Sequence, residues 1–285
     1  GSINGLNPLF VIDGVPRGNS TSFNPKDVAS IEIIKDASAA AIYGVEAAGG
    51  VVLITTKKGM FDQQTNFDFS ANSGVREISK SYNMLNTPDY IRARQGMKQN
   101  YALWNTPDLP DTDWFDELFG NGVEQSYQLS ISGGSSKTRY YVSAGYERED
   151  GIQKDNFWER YSLRVNADYK PSKRFTFGHQ LYMAKVSENP ATRDVPWRTL
   201  PYMAVYNEDG SFAKVPAEVE FSGGNEVASL AYIHRQNKTL LLDGVLYADW
   251  KITNDLVFRA TAGGGFSANS YDSYTEKNNL ARTSF

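Results

Sequence analysis

Polar and apolar residues alternate along much of the chain after Thr65. In RYSLRVNADYK, residues 160–170, the five odd-numbered positions are apolar or aromatic and the six even-numbered positions are polar or charged. A period of two places these sets on opposite faces of a β-strand. Other segments show the same pattern, so we predict seven strands, around residues 67–71, 127–131, 140–146, 160–170, 175–185, 240–250 and 256–266.

The apolar face of segment 160–170 has a tyrosine near each end. In a strand tilted by ~40°, Tyr161 and Tyr169 lie roughly 20 Å apart along a membrane normal, close to the ~25 Å apolar band of a transmembrane barrel. The fifth candidate strand is the poorest, because its apolar register includes His179. We predict that one face points to lipid, at Leu163, Val165, Leu246 and Phe258. The concave face should carry Arg164, Asn166, Asp243 and Arg259.

The connections between these strands alternate in length. Residues 133–136, 171–172 and 253–255 are short turns, 76–122 and 187–236 are long, and 149–156 is intermediate. Outer-membrane barrels have short periplasmic turns and long extracellular loops. A soluble sandwich or jelly roll is the alternative, but it favours shorter strands and gives no reason for one-sided loops.

The first sixty residues follow a different pattern. Short strands are predicted at 9–13, 31–34 and 51–56, separated by glycine and proline. A short helix is predicted over 37–42, capped by Asp36 or Ser38 and closed by a left-handed Gly44. We therefore divide the chain into a small α/β unit, residues 1–59, and a mainly β unit, residues 60–285.

Composition narrows the function. With 17 Tyr, 15 Phe, 5 Trp and a mean hydropathy of -0.48, the chain suits many amphipathic strands. A net charge of -4 argues against nucleic acid as a partner. The chain has no Cys, its two His lie far apart, and no G-x-S-x-G elbow is present. We expect no metal, no cofactor, no catalytic residue and no enzyme activity.

Several long motifs resemble one family in order. NPLFVIDGVP (7–16), IEIIKDASAAAIYG (31–44) and GVVLITTKKG (50–59) are similar to the second half of the plug domain of SusC/RagA-type TonB-dependent outer-membrane transporters. SGGSSKTRYYVSAGY (132–146), YSLRVNADYKPSKRFTFG (161–178) and LLDGVLYADWKITNDLVFR (241–259) are similar to its early barrel hairpins. The plug motif covers Asp13, Gly14, Asp36, Tyr43, Gly44, Glu46 and Gly50. Glu46 departs from the arginine common in the family.

The resemblance implies a fold, a function and a set of partners. The fold would be about seven strands of a transmembrane antiparallel barrel of ~22 strands, with part of the plug domain. The chain would be an internal fragment of a transporter in the outer membrane of a Gram-negative bacterium. That transporter would import an oligosaccharide or a peptide with TonB and a SusD-like surface lipoprotein, surrounded by outer-membrane lipid. The alternative is a non-transporting adhesin or carbohydrate-binding β-domain.

Two further sets of residues are candidates for function. Aromatic side chains in the long connections would stack on sugar rings, or alternatively pack a loop core or contact a lid: Tyr101, Trp104, Trp114 and Trp197. Acidic residues 111, 113, 116 and 117 suit calcium, but helix capping by Asp113 is the favoured interpretation.

Within the α/β unit, we expect Asp13, Glu32, Asp36 and Glu46 to contact Arg and Lys of the barrel wall.

Overall fold

The computed structural model describes residues 8–17, 23–35, 41–79, 82–191, 199–214 and 224–277. Its strands form a four-stranded and a seven-stranded sheet. The strands are β1 Leu9–Ile12, β2 Val15–Arg17, β3 Val28–Ile34, β4 Val51–Thr56, β5 Asn66–Arg76, β6 Gly122–Gly134, β7 Thr138–Asp150, β8 Phe157–Tyr169, β9 Phe175–Asn189, β10 Ile233–Lys251 and β11 Val257–Thr275. The α-helices are α1 Thr87–Gly96, α2 Trp114–Leu118 and α3 Glu226–Tyr232. Short 3-10 helices cover Pro25–Asp27, Ala41–Tyr43, Val45–Gly49 and Ala102–Asn105.

The small sheet and its 3-10 helices form what we call the N-terminal unit, the described residues from 8 to 59. Its strand order is β2-β1-β4-β3, with β1 and β4 parallel and the other pairs antiparallel. Apolar side chains from β1, β4 and the Val45–Gly49 helix form its core, namely Leu9, Val11, Ala47 and Val51. The predicted strands are therefore present, and β4 is one of two central strands, paired with β1 and β3.

Strand β2 was not predicted, because Pro16 reads as a break. Asp13 and Gly14 have φ values of 51° and 85°, and positive φ at both central residues is the requirement of a type I′ hairpin turn. Pro16 is tolerated because β2 is at the edge of the sheet, where a missing N–H costs no ladder hydrogen bond. The Asp-Gly pair between apolar runs was the signal for this hairpin.

Asp36 and Ser38, the predicted caps of the helix over 37–42, lie outside the described residues. The described chain resumes with the 3-10 helix Ala41–Tyr43, which Gly44 separates from the helix Val45–Gly49. Gly44 has φ 74° and ψ -163°, so the left-handed helical closure predicted for it was wrong. An extended backbone at positive φ is essentially restricted to glycine, and Gly50 (φ 93°, ψ 172°) adopts it too.

The seven-stranded sheet, which we call the wall sheet, is an antiparallel meander in chain order from β5 to β11. The prediction of seven strands and of a mainly β fold with an incomplete barrel is confirmed. Several strands extend further than predicted at the ends near the long connections, and β10 and β11 each reach 19 residues. At ~3.3 Å per residue such strands are longer than a ~25 Å apolar band requires, even with tilt.

Burial in the wall sheet is the reverse of that in a soluble sheet. In β8 the polar residues Arg164, Asn166 and Asp168 are 2–4% exposed, whereas Tyr161 and Tyr169 are each 50% exposed. The N-terminal unit packs on the polar side, which we call the inner face, and the apolar side is the outer face. The predicted facing is confirmed: Leu246 and Phe258 are exposed on the outer face, where His179 also lies.

The connections divide between the two ends of the wall sheet. Antiparallel pairing places the short turns 135–137, 170–174 and 252–256 at one end, and 77–121, 151–156 and 190–232 at the other. This grouping agrees with the predicted alternation. Within the described ranges, no helix is both long enough and apolar enough to cross a membrane.

Candidate functional site

The contact between the N-terminal unit and the inner face is rich in buried hydrogen bonds and ion pairs. Its centre is Asp27, the last residue of the 3-10 helix Pro25–Asp27. Asn24 caps that helix, because its side-chain oxygen accepts a hydrogen bond from Lys26 N at 3.0 Å. The cap fixes the turn that directs the Asp27 carboxylate towards the wall sheet, where the residue is 1% exposed.

Three strands of the wall sheet supply donors to the Asp27 carboxylate. Oδ1 accepts from Gln128 Nε2 at 2.8 Å, from Ser143 Oγ at 2.7 Å and from Tyr141 OH at 3.0 Å. Oδ2 accepts from Arg164 Nε at 3.2 Å, which makes a buried ion pair. A buried carboxylate is tolerated only when it is paired and hydrogen-bonded, and Asp27 meets both conditions.

A second group of contacts surrounds the end of β4. Thr56 donates from its backbone N to Asp13 Oδ1 at 2.9 Å and from Oγ1 to Asp13 Oδ2 at 2.7 Å. Asn166 of β8 donates to Thr56 Oγ1 at 3.0 Å and to the Lys57 carbonyl at 2.7 Å. With its amide oriented to suit both neighbours, Gln180 donates to Asp13 Oδ2 at 3.2 Å. Asp13 therefore links the hairpin, β4 and the wall.

Lys58 makes the third contact. Its Nζ donates to Tyr247 OH at 3.0 Å, and Tyr247 OH in turn donates to Asp168. Arg139 Nε donates to the same carboxylate at 2.5 Å. Burial lowers the pKa of Lys58, while the nearby carboxylates act in the opposite direction. Gly178 makes room for this group, since a Cβ there would lie 2.3 Å from the Tyr247 ring.

Strand β2 makes the fourth contact, with β10 and β11. Arg17 Nη1 lies 3.3 Å from Asp243 Oδ1, with both side chains largely buried. The backbone of Gly263 in β11 approaches the Val15 side chain of β2, and a Cβ on Gly263 would lie 2.8 Å from one Val15 methyl group. Glycine at position 263 therefore permits the close approach of the N-terminal unit to the wall.

The polar contacts expected for the N-terminal unit are largely replaced by others. Asp13 bonds within the unit and to the Gln180 amide rather than to Arg or Lys of the wall. Glu32 and Glu46 are exposed, and Asp36 lies outside the described residues. The sequence interpretation did not single out Asp27 as a contact residue. The sequence feature that could have identified Asp27 is an acidic residue at the end of a short turn that begins with Asn-Pro.

The remaining plug-motif residues shape the backbone of the N-terminal unit. Gly14 forms the hairpin turn, and Gly44 and Gly50 bracket the Val45–Gly49 helix. Gly50 O accepts from Leu9 N at 2.9 Å, which joins this segment to β1. Tyr43 packs, half-buried, against the core of the unit. None of the motif residues that the structure describes forms a cluster suited to chemistry.

Two of the four aromatic candidates for substrate binding, Trp104 and Trp114, belong to a buried loop core. Trp104 and Trp114 are 8% and 2% exposed and pack with residues 200–205 of the other long connection. Trp114 Nε1 donates to Leu200 O at 2.9 Å. Tyr101 is half-buried and meets Trp104 edge-on, with ring centroids 4.9 Å apart. The burial of Trp104 and Trp114 supports loop packing, the alternative to sugar stacking given in the sequence analysis. Substrate binding by Tyr101 stays a prediction, and Trp197 lies outside the described residues.

Two of the acidic residues in the first long connection are engaged in protein hydrogen bonds. Asp113 accepts from Phe115 N at 2.9 Å and from Asp116 N at 3.3 Å, so the predicted cap of α2 is confirmed. Asp111 Oδ1 accepts from Thr87 N at 2.7 Å at the start of α1. Both carboxylates therefore accept hydrogen bonds from backbone N–H groups at the starts of helices α1 and α2.

Comparison with known proteins assigns the N-terminal unit. Residues 2–51 match the TonB-dependent Receptor Plug Domain family. TonB-dependent receptor P26 of Formosa agariphila is 31% identical over 96% of this chain and 29% of its own length. TonB-dependent receptor SusC of Bacteroides thetaiotaomicron is 34% identical over 58% of this chain and 17% of its own length. The chain therefore spans less than a third of these curated relatives.

The fold is shared with a solved importer. The RagAB peptide importer in its open-open state superposes with a TM-score of 0.80 at 23% identity, over 95% of this chain and 35% of that one. The relatives are receptors and transporters, in agreement with the prediction that the protein is not an enzyme. These sequence matches, together with the shared fold, place the chain in the SusC/RagA-type family of TonB-dependent transporters.

Proposed function

We propose that this chain contributes the gate and part of the wall of an energised importer in the outer membrane of a Gram-negative bacterium. In this proposal, residues 1–59 act as part of a plug and residues 60–285 as the adjoining barrel strands and external loops. TonB would pull the plug, and a SusD-like lipoprotein would cover the external end. The imported nutrient would be an oligosaccharide or a peptide, the two substrate classes that the resemblance implies.

The observation that carries this proposal is the polar character of the contact between the N-terminal unit and the inner face. Asp27, Lys58 and Arg17 reach the wall through hydrogen bonds and ion pairs. Water can replace each of these bonds when the unit moves, whereas an apolar contact would expose hydrocarbon surface on opening. A plug held by such bonds has a defined position but can still be detached from the wall sheet.

A non-transporting adhesin is the competing function. It would need no movable unit, so the dense polar contact behind Asp27 would only add stability. The apolar outer face favours a membrane location for either function, because Leu246 and Phe258 are more than half exposed. The two functions therefore differ in a single respect, which is whether the N-terminal unit must move.

An engineered disulfide between the unit and the wall tests this movement. A Cβ on Gly263 would lie 2.8 Å and 3.2 Å from the two methyl groups of Val15, a separation compatible with a Val15→Cys and Gly263→Cys bridge. The chain has no native cysteine to compete. In a full-length transporter containing this chain, the oxidised pair should abolish TonB-dependent uptake, and reduction should restore it.

The single variants Val15→Cys and Gly263→Cys are the matched controls and should transport under oxidising conditions. Bridge formation is measured from the mass shift on thiol labelling before and after reduction. Uptake that continues with the bridge fully formed would reject the gate. Uptake that is absent in every variant, including the reduced pair, would favour the adhesin.

A further inference from the structure

A pocket opens on the inner face beside the N-terminal unit, towards the end with the long connections. It has a volume of about 330 Å³, and Pro25 of the unit lines one side. Strands β5 to β8 contribute the rest of the lining, which includes Asn72, Glu124, Glu149 and Trp158. We call this the inner pocket. Its volume falls at the lower end of the range for small-molecule sites.

The strand register sets the pocket's chemistry. Glu124 of β6 is directly opposite Glu149 of β7, and Glu149 is directly opposite Trp158 of β8. Like charges placed opposite each other destabilise a sheet. Arg76 offsets this repulsion by donating to both carboxylates, at 3.3 Å to Glu124 and 3.0 Å to Glu149. Two carboxylates are thus held side by side next to an indole, with about half of each side chain still accessible.

The other charges around the inner pocket are also balanced. Arg160 pairs with Glu147, and both line the pocket. Lys26 Nζ donates to Ser126 Oγ at 2.6 Å. Counting these groups with Arg76, Glu124 and Glu149 gives three positive and three negative charges. A ligand with a large net charge therefore gains little from this pocket.

Trp158 adds an apolar surface to this balanced polar lining. The indole is partly exposed, and the Arg160 guanidinium lies 5.1 Å from its ring centroid. The pocket therefore presents carboxylate acceptors, amide and guanidinium donors, and one flat aromatic group. A hydroxyl group donates and accepts hydrogen bonds at once, and a sugar ring also has an apolar C–H face.

We propose that the inner pocket binds one ring of a neutral oligosaccharide, with Trp158 as the packing surface and Glu124 and Glu149 as hydroxyl acceptors. This selects one of the two substrate classes left open above, and it rests on the proposed function only for the role of the site in import. A basic peptide is disfavoured, because Arg76 and Arg160 already pair with the three carboxylates.

The test uses a purified full-length transporter containing this chain, in detergent, on an array of neutral hexose and pentose oligosaccharides with a matched array of basic peptides. We expect retention of a neutral glycan, and a loss of affinity of about tenfold or more in Trp158→Ala, as for removal of a packed aromatic group. Trp250→Ala is the matched control, since Trp250 is exposed on the outer face. Affinity should change less than about twofold between low and high salt.

Three outcomes would overturn this proposal: retention of no neutral glycan, equal binding by Trp158→Ala, or retention of basic peptides that depends on Trp158 and falls with salt. If Trp158→Ala does not fold, Trp158→Phe keeps an aromatic surface and should bind more weakly than wild type but retain the same glycan. The bridged Val15→Cys and Gly263→Cys protein should still bind the glycan. Binding without uptake in the unbridged protein would reject the gate and leave the sugar site standing.

Discussion

Asp27 of the N-terminal unit and Arg164 of β8 form an ion pair at 3.2 Å, with side chains only 2% and 4% exposed. Replacing Asp27 by Asn leaves the guanidinium buried without its counter-charge, which typically costs about 3–5 kcal/mol. We expect Asp27→Asn to release the N-terminal unit at lower urea concentration, measured by its protease susceptibility. Glu32→Gln, at an exposed position of β3, is the control. Equal behaviour of the two variants would mean that Asp27 is not the principal anchor.

We expect the outer face of the wall sheet to contact lipid. Val165 lies on that face near the middle of β8, between Tyr161 and Tyr169. Arginine at a lipid-facing position near mid-membrane costs about 2–4 kcal/mol. Val165→Arg should lower the free energy of unfolding by that amount in lipid vesicles, whereas Ser136→Arg in a short turn should have little effect. A cost that is equally small at both positions would place the outer face away from lipid.

The two ends of the wall sheet should be on opposite sides of the membrane. Asn105 lies in a long connection and Ser135 in a short turn, and both are exposed. In intact cells an impermeant thiol reagent should label Asn105→Cys but not Ser135→Cys. Permeabilised cells should show labelling of both, which controls for accessibility. Labelling of Ser135→Cys alone from outside would invert the topology.

The loop core should be a stability determinant of its own. Trp114→Ala removes a buried indole and its bond to Leu200 O, a change that costs about 3–5 kcal/mol in a core. We expect the long connections to become sensitive to protease while the wall strands stay protected, as mapped by mass spectrometry. Met97→Ala, at a residue that is 67% exposed, should leave them resistant. Resistance in both variants would show that the loops do not depend on this core.

Lys58 should confer a dependence of stability on alkaline pH. Burial lowers its pKa in the folded protein from the ordinary value of 10.5, so the unfolded chain binds more protons between the folded pKa and 10.5. The Lys58 contribution to folding therefore becomes more favourable as the pH rises through that window. Lys58→Met should remove this slope, seen as the difference between wild-type and variant unfolding curves. Parallel curves would mean that the lysine stays fully solvated.

The strands were predictable from sequence because each carries its own period-two signal. Segment 160–170 displays both faces of β8, and the facing follows from the tyrosines at its ends. Strand β2 has only three residues, one of them Pro16, and is therefore too short to show a period-two pattern. The left-handed helical closure predicted at Gly44 failed because sequence specifies positive φ more readily than ψ.

The candidate site was less predictable, because it depends on pairs of residues far apart in the chain. Asp27 and Ser143 are separated by 116 residues, and no local pattern links them. Charge alone directed attention to Glu32 and Glu46, which are exposed in the structure. The same reasoning explains the aromatic loop residues: Trp104 and Trp114 have the chemistry of a sugar site, and only the opposite connection decides that they are buried.

The shared loop core has a consequence for the order of folding. Each hairpin of the wall sheet joins neighbours in sequence, whereas the bond from Trp114 Nε1 to Leu200 O closes a gap of 86 residues that contains β6 to β9. Contacts of such long range carry a larger loop-closure cost until the intervening strands are in register. The two long connections should therefore pack together last, only after the four strands between them have paired in the correct register.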